Sequence, residues 1–428
     1  MRPLRWFTLL LCVASATSLP AQNFAVLADH LYTMTEGTQG GPGMVLIRDG
    51  KIEAVRPGPH QSSPKGYTPL KAAFVTPGLI DTDTTAGISG AFNIPADQDQ
   101  DEATDPNTAD VRTLDSFNPS ERLLKVLNQY GVTTVQSAPG PRNPIAGRAG
   151  IFKTAGPGST PATVEQLAVR QESAMVFNLG ETPKVTYGKK EKAPTTRMKT
   201  AEIIRHALSE AKAYEEKWDK WKKDGADVSK QPARDMKLEA LVPVVDGKMP
   251  AIFNAYRADD IDTAIRIGTE FHLRYMLASV TEGYLIADAI RRAGVPCLAG
   301  PVMQRFESLE TANATFENPA ILKRAGIPVA LMTGYESYVP KNRIVLFEAG
   351  IAAANGLGME EALRIVTADA AKILAIDDRV GSLAPGKDAD IALFDGDPFE
   401  YTSHVVAVLT TGQISYERSN ESAALPHL

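Results

Sequence analysis

The sequence predicts an α/β protein: a (β/α)8 TIM-like barrel with a small β-sandwich formed by both chain ends. Short apolar strands alternate with amphipathic helices over about 300 residues, which is typical of a barrel of this size. β-rich segments without helices stand at both ends of the chain. A chain of 428 residues, of which 43% are hydrophobic, is long enough to bury a barrel core and a smaller accessory core.

The N-terminal residues 1–22 have the layout of a secretory signal peptide. Arg2 and Arg5 precede an apolar run, and small residues follow it. The apolar run is too short to span a bilayer comfortably. We therefore expect an exported protein, periplasmic or secreted, with no membrane span after the signal is removed. Cys297 would then be the only cysteine, which excludes an intramolecular disulfide.

Residues 23–75 and 380–428 are predicted to form one composite β-sandwich. The pair Asp49-Gly50 separates two β-rich runs, which is a strong hairpin signal. Two further strand-like runs follow near the other end of the chain, at residues 390–394 and 405–409. Each end alone would have too small a core to be stable, so we expect the two ends to complete one unit.

Residues 76–379 are predicted to form the barrel. Helical stripes alternate there with β-branched runs such as residues 131–135, and the apolar run 238–245 also favours a strand. An open doubly wound sheet is the alternative architecture. No glycine-rich dinucleotide fingerprint follows an early strand, which favours the closed barrel.

The charge balance argues against two classes of partner. The formal net charge is -6 and the isoelectric point is about 5.7. An acidic chain of this kind gives no reason to expect nucleic acid or an anionic membrane surface as a partner.

The most informative stretch is residues 75–85. It is a short apolar strand whose carboxyl end runs into small polar side chains, among them Asp83 and Thr85. In a parallel barrel the carboxyl ends of the strands face the active site, so these two side chains are predicted to line it.

Several separated motifs resemble one family, the metal-dependent amidohydrolase superfamily. In the family's order these are residues 49–52 (DGKI), 77–81 (PGLID), 131–135 (GVTTV) and 381–390 (GSLAPGKDAD). Within the superfamily, three further segments are similar to the imidazolonepropionase-like branch: residues 178–184 (NLGETPK), 196–198 (TRM) and 257–261 (RADDI). The resemblance covers residues 24–418 and implies hydrolysis of carbon–nitrogen bonds in cyclic amides or small peptides.

The resemblance also implies a catalytic zinc, but this chain departs from the family at the ligands. Non-histidine residues stand where the two His-x-His pairs and a fifth histidine would be, and a glycine replaces the aspartate that closes the site. The former metal-ligand positions are Asp83, Thr85, Asn254, Tyr256, Ser279 and Gly334. Catalytic zinc needs about three imidazole or carboxylate ligands, and here only Asp83 is a good one. We therefore predict no metal and no other cofactor.

Other residues could act in the remaining cleft. The catalytic candidates are Asp83, Glu336 and Tyr256. The candidates for substrate binding are Lys153, Arg257, Glu282 and Tyr335. Two of these have simpler alternatives, since Lys153 fits a surface lysine and Glu282 fits a carboxylate in the first turn of a helix.

Three functions remain open from the sequence. The first is a non-catalytic subunit that pairs with a homologous, active amidohydrolase subunit in a homo- or hetero-oligomer. The second is a metal-independent or atypical hydrolase acting on amide bonds. The third is a binding protein for a small amide or peptide ligand. Fold alone does not decide between them.

Overall fold

The computed structural model describes residues 22–36, 39–59, 61–156, 162–336 and 343–418. The predicted signal peptide lies outside the described residues, apart from its last position, so export stays a prediction. None of the helices in the described ranges combines the length and the apolar character needed to cross a bilayer.

The strands in these ranges belong to two sheets. They are Phe24–Leu31 (β1), Gly41–Arg48 (β2), Lys51–Pro57 (β3), Thr68–Pro77 (β4), Leu79–Thr84 (β5), Val132–Ser137 (β6), Ile145–Lys153 (β7), Ala168–Asn178 (β8), Ala251–Ala255 (β9), Tyr275–Ser279 (β10), Cys297–Ala299 (β11), Val329–Leu331 (β12), Ile391–Phe394 (β13), Val405–Thr410 (β14) and Gln413–Glu417 (β15).

Most α-helices lie between the barrel strands. They are Thr113–Ser116 (α1), Arg122–Gln129 (α2), Val164–Leu167 (α3), Glu181–Gly188 (α4), Arg197–Lys223 (α5), Met236–Val245 (α6), Ala258–Glu270 (α7), Ala287–Ala293 (α8), Asn318–Arg324 (α9), Val345–Ala352 (α10), Met359–Ile365 (α11) and Ala368–Ile373 (α12). Short 3-10 turns cover Pro95–Asp97, Val228–Lys230 and Gly283–Ile286.

Both chain ends form the second sheet, as predicted. Its seven strands run in the order β15-β14-β13-β4-β1-β2-β3, so β4 joins the N-terminal strands to the C-terminal ones. Residues of β1, β2, β3, β4, β13 and β14 share one apolar cluster, to which Phe24, Ile52 and Ile391 belong. The unit is therefore one continuous sheet around a common core, rather than two sheets from separate ends.

The eight-stranded barrel is also confirmed. Its strands follow the order β5 to β12, and β5 returns to β12 to close the sheet. The Gly334 backbone N–H donates to the Asp83 carbonyl at 2.8 Å, and the Thr82 hydroxyl donates to the Leu331 carbonyl at 2.7 Å. These contacts hold the two edge strands together.

The barrel differs from the sequence prediction in the direction of one strand. β7 runs antiparallel to both β6 and β8, whereas the other neighbouring pairs are parallel. A parallel connection needs a crossover of a dozen or more residues, usually with a helix. The segment 138–144 between β6 and β7 is too short for that, so the chain turns back as a hairpin.

A second difference concerns residues 238–245, which were predicted to form a strand and belong to helix α6. The carboxylate of Asp235 caps this helix by accepting hydrogen bonds from the N–H groups of Lys237 at 2.9 Å and Leu238 at 3.1 Å. A short apolar run has no periodicity that distinguishes a buried strand from a buried helix. Here the N-cap at Asp235 favours the helix.

The barrel interior is packed and closed at the amino-terminal ends of the strands. Ile80, Val176, Ile252 and Leu298 belong to one buried cluster that fills it. Residues of α12, including Ala370, belong to the same cluster and close that end. A functional site is therefore expected at the carboxyl ends of the parallel strands, called the barrel mouth below.

Lys153 does not lie at the mouth, which corrects its prediction as a substrate-binding residue. Because β7 runs backwards, its last residue lies level with Thr134, near the amino-terminal ends of the parallel strands. Nor is Lys153 a surface residue, because it is 3% exposed. Its ammonium group donates to Asp390 and lies 3.3 Å from Asp388, both in the link to the terminal sheet.

Substituting Lys153→Met is expected to destabilise the fold by about 3–5 kcal/mol, because it leaves the buried Asp390 without its cation. The free energy of unfolding, measured by urea denaturation, checks this. The double variant Lys153→Met with Asp390→Asn should recover part of the loss, whereas the exposed control Lys125→Met should change little. Equal losses for the single and double variants would contradict the charge-pair explanation.

Candidate functional site

The predicted ligand positions meet at the barrel mouth. Asp83 is near the end of β5, and Ser279 ends β10, where it is in register with Ala255 of β9. Asn254 lies beside Asn178 at the ends of β9 and β8. Parallel register therefore brings these polar side chains together even though they are far apart in the sequence.

Three buried side chains form a hydrogen-bonded chain across the mouth. The Ser279 hydroxyl donates to Asn254 Oδ1 at 3.3 Å, and Asn254 Nδ2 donates to Asn178 Oδ1 at 3.0 Å. Asn178 Nδ2 donates to the backbone carbonyls of Asn143 at 2.8 Å and Gly140 at 3.3 Å. An amide can donate and accept at once, so each asparagine continues the chain.

Asn178 is a site residue that the sequence reasoning missed. It stands in the segment similar to the imidazolonepropionase-like branch, but it was not assigned a role there. The signal that could have found it is its position at the end of a run of apolar strand residues, as for Asp83 and Ser279. Its amide fixes the orientation of Asn254 and so determines which atoms face the mouth.

Asp83 has a carboxyl oxygen with no hydrogen-bond partner among the residues that the structure describes. Asp83 is 5% exposed, and this oxygen, Oδ2, is buried. Burial and, to a smaller extent, the nearby Asp81 carboxyl together raise the pKa of Asp83 to about 8. At neutral pH the group is therefore mainly a neutral carboxylic acid that can donate a hydrogen bond.

Asp81, two residues earlier, is fully engaged instead. It accepts hydrogen bonds from the Thr333 backbone N–H at 3.0 Å and from the Thr333 hydroxyl. Burial still raises the pKa of Asp81 to about 7, against the opposing effect of these bonds. Its role is to hold β5 to the residue that follows β12.

The backbone at Ser279 is unusual. Ser279 and Val280 have φ angles of 69° and 44°, in the left-handed region that few non-glycine residues adopt. The Ser279 N–H donates to the Met332 sulfur at 3.1 Å. Such conformations cluster at functional sites, which marks this strand end as part of the site.

Tyr256 contributes a second hydroxyl, and its side chain is partly exposed at the mouth. Burial of the hydroxyl raises its pKa, opposed by a hydrogen bond with Ser279. The carboxyl groups of Glu310, Asp83 and Glu336 raise it further. Tyr256 is therefore neutral across the physiological range.

Glu336 is near the mouth but is paired with a cation. It is buried and accepts a hydrogen bond from Arg343 Nε. The same guanidinium lies 3.6 Å from Glu348 on α10, whose carboxylate accepts from the Met303 N–H at 2.9 Å. The ion pair with Arg343 thus holds the Glu336 carboxylate in place. This makes Glu336 a weaker candidate for a base that would replace the missing family aspartate. Its neighbour Tyr335 is half-buried and takes part in contacts of its own.

Two residues that were predicted to bind substrate, Arg257 and Glu282, instead bind neighbouring groups of the protein. Arg257 forms a two-pronged ion pair with Asp259, with N–O distances of 3.0 and 3.1 Å. Glu282 accepts from the Ala258 N–H at 2.8 Å, at the start of α7, and from Asn313 Nδ2 at 2.7 Å. The alternative interpretation placed the Glu282 carboxylate in the first turn of the helix that follows it. Glu282 does bind the N-terminus of a helix, but that helix is α7, which precedes Glu282 in the sequence.

Glu310 is a further carboxyl that sequence reasoning did not find. It is 4% exposed and accepts a hydrogen bond from the Glu181 N–H, the first residue of α4, at 2.6 Å. Arg197 lies 3.6 Å away. Burial raises the pKa of Glu310 to about 7. A lone glutamate in a loop without a motif carries no signal in the sequence.

The side chains at the mouth do not fit a catalytic zinc. Asp83 is the one carboxylate among the former ligand positions, and Gly334 has no side chain. Asn254 is already bonded on both sides by Asn178 and Ser279. Across the described residues, no three His, Cys, Asp or Glu side chains are grouped so that they could hold a metal ion. A zinc site needs about three strong donors, which this set of oxygens does not supply.

The cavities differ in size and position. A small cavity of about 10 Å³ lies beside the mouth, between Ser279, Thr281 and Gly300, and has room for about one water molecule, but neither Asp83 nor Tyr256 lines it. A larger one of about 700 Å³ opens on the terminal sheet near Ala28 and Lys71, and no mouth residue lines it. The charged side chains that line the larger cavity, Asp29, Lys71 and Asp395, are exposed, whereas the polar side chains at the mouth are buried, so the mouth is the better candidate site.

Comparison with known proteins agrees with this geometry. The model of the amidohydrolase family matches residues 170–416, more than half of the chain. The chain belongs to the amidohydrolase family. An amidohydrolase from Thermotoga maritima MSB8 has a crystal structure that matches with a TM-score of 0.85 at 32% identity, covering 92% of this chain and 100% of that one. The resemblance drawn from the motifs is thereby confirmed.

Two curated amidohydrolase relatives align over part of their lengths. Amidohydrolase tasK from Hapsidospora irregularis is 24% identical over 397 residues, which are 88% of this chain and 40% of that protein. Imidazolonepropionase from Alkaliphilus oremlandii (strain OhILAs) is 30% identical over 127 residues, which are 28% of this chain and 30% of that protein. This chain thus spans well under half the length of either relative, so neither assigns it an activity.

The raised pKa of Asp83 predicts how stability depends on pH. The unfolded carboxyl loses its proton near pH 4 and the folded one near pH 8, so the folded state loses stability as pH rises between these values. In Asp83→Asn this loss should be absent. We therefore expect the stability of Asp83→Asn relative to the wild type to increase from pH 5 to pH 8 and then level off.

The free energy of unfolding in urea, measured at each pH, tests this expectation. The exposed neighbour Asp99 supplies the matched control, because Asp99→Asn should follow the wild-type curve at a constant offset. A constant offset for Asp83→Asn as well would mean that Asp83 is ionised in the folded protein.

Proposed function

We propose that this amidohydrolase-family protein is non-catalytic and that its barrel mouth binds a small neutral amide or peptide without a metal. The observation that carries the proposal is the unpartnered Oδ2 of Asp83, buried beside neutral hydroxyl and amide groups. A buried polar atom without a partner is costly unless a ligand or water completes its hydrogen bonds. A protonated carboxyl can donate to an amide carbonyl while its other oxygen accepts from an amide N–H.

The other groups at the mouth support binding more than hydrolysis. Hydrolysis without a metal needs a base that activates water or a nucleophile. Glu336 is held by Arg343, Asp83 is mainly protonated at neutral pH, and the hydroxyl of Tyr256 stays protonated. The chain of Ser279, Asn254 and Asn178 supplies oriented neutral hydrogen bonds, which suit a neutral ligand.

Calorimetric titration with 2-pyrrolidinone, a five-membered cyclic amide, tests the proposal. We expect binding that is unchanged by a chelator or by added zinc, with no hydrolysis product. Asp83→Ala should weaken binding by up to about tenfold, the value of one hydrogen bond. Asp83→Asn should retain it. Wild-type binding should decline above pH 8 as Asp83 ionises, and the Asn variant should show no such decline.

The control is Asp99→Asn, which keeps the mouth intact and should bind like the wild type. Zinc-dependent turnover of the cyclic amide, lost in Asp83→Ala, would instead establish a metallohydrolase and overturn the proposal.

A second candidate is a subunit that associates with a homologous amidohydrolase, and one surface favours it. Tyr130 and Phe347 form an edge-to-face pair with ring centres 5.2 Å apart, and both are exposed on the outside of the barrel. Tyr401 is fully exposed near them, since Phe399 packs on Gly350 of α10. Exposed aromatic side chains are enriched at protein interfaces.

Association through this aromatic surface predicts that the double variant Phe347→Ser with Tyr401→Ser shifts the protein towards the monomer. Sedimentation velocity, alone and with a homologue that has intact His-x-His motifs, measures the assembly. The control Val228→Ser removes another exposed apolar side chain elsewhere. A wild-type monomer in both experiments would contradict the subunit candidate.

A further inference from the structure

The loops around the barrel mouth expose large apolar side chains. Phe306 and Leu309, in the loop between β11 and α9, are 75% and 66% exposed. Leu285 after β10 and Phe316 in the same β11–α9 loop are also exposed. These four residues are called the apolar rim below.

The loop that carries the rim is held firmly at several points. Thr281 donates to Gln304 at 2.8 Å near its start, and Glu310 accepts from the Glu181 N–H in its middle. Asn313 bonds to Glu282 at 2.7 Å and accepts through its carbonyl from the Tyr284 hydroxyl at 3.1 Å. The exposed side chains of Phe306 and Leu309 therefore stand on a fixed backbone.

The rim is continuous with the polar site. Leu309 directly precedes Glu310, and the carboxyl of Glu310 is close enough to Tyr256 to act on its hydroxyl. Glu310 also lies against Gly180, where a Cβ would be 2.1 Å from its Oε1 and where φ is +90°. Gly180 follows Asn178 by two residues, so the loop approaches the hydrogen-bonded chain closely. Leu309 and Phe306 therefore lie on the loop that follows the carboxyl end of β11 and carries Glu310, on the same side of the barrel as Asp83 and Tyr256.

We propose that Phe306 and Leu309 bind an aliphatic substituent of the amide ligand, so that the ligand class is neutral amides with an apolar chain. This inference rests on the proposed function, because the polar head must first bind at the mouth. Exposed large apolar side chains on a fixed loop beside a binding site commonly mark the ligand-contacting surface. Each methylene buried there should strengthen binding about fourfold.

The test compares 2-pyrrolidinone with 5-alkyl-2-pyrrolidinones carrying one to six carbons, by calorimetry on the full chain. In the wild type the dissociation constant should fall about fourfold per added carbon until the rim is covered. In Phe306→Ser and Leu309→Ser this dependence on chain length should flatten, while unsubstituted 2-pyrrolidinone binds as in the wild type. Unchanged thermal unfolding would show that the variants are folded.

Val228→Ser is the matched control. Val228 is 80% exposed but lies beyond the end of α5, whose 27 residues place it about 40 Å from the start of that helix at Arg197. It should preserve the wild-type dependence on chain length.

Three results would overturn the inference. Equal affinity for all chain lengths would refute binding of the alkyl chain at the apolar rim, but it would leave the proposed amide binding at the mouth intact. If even 2-pyrrolidinone does not bind, both the proposed function and the role of the apolar rim are refuted. Loss of self-association in Phe306→Ser and Leu309→Ser, without any effect of chain length, would show that the rim contacts another protein molecule instead.

Discussion

The pairing of β5 with the residues after β12 is the constraint on which the site depends. Asp81 accepts two hydrogen bonds from Thr333, and the next residue, Gly334, donates its N–H to the Asp83 carbonyl. This closure places Asp83 across the mouth from Tyr256. It also gives Gly334 a φ of 65°, a conformation that suits glycine, in the place where the motif resemblance implies an aspartate.

The replaced ligands form a consistent neutral set. Metal ligands must be deprotonated, and their charges are balanced by the ion. In these buried surroundings a carboxyl such as Asp83 is more stable when it keeps its proton, and burial raises its pKa accordingly. Asparagines suit the same surroundings, because the amides of Asn254 and Asn178 satisfy each other without charge.

The sequence predicted the parts that depend on local pattern. An apolar run that ends in small polar residues located the strand end with Asp83, the motif resemblance located Asn254 and Ser279, and β-rich ends predicted the second sheet. It could not predict features set by long-range contacts. The direction of β7 and the pairing of Lys153 with Asp390 depend on which strand lies beside which. Glu282 and Glu310 gain their roles from N–H groups of helices distant in sequence.

Family membership leaves the function to be decided by the site, because one barrel supports many activities. Here electrostatics favours a neutral ligand. A cationic ligand would require a buried carboxyl such as Asp83 to give up its proton, since Glu336 is already paired with Arg343. An anionic ligand would require the partly ionised Glu310 to take up a proton, because a nearby negative charge raises its pKa further. A neutral amide avoids both costs, because its N–H and carbonyl match the donor and acceptor atoms of a protonated Asp83.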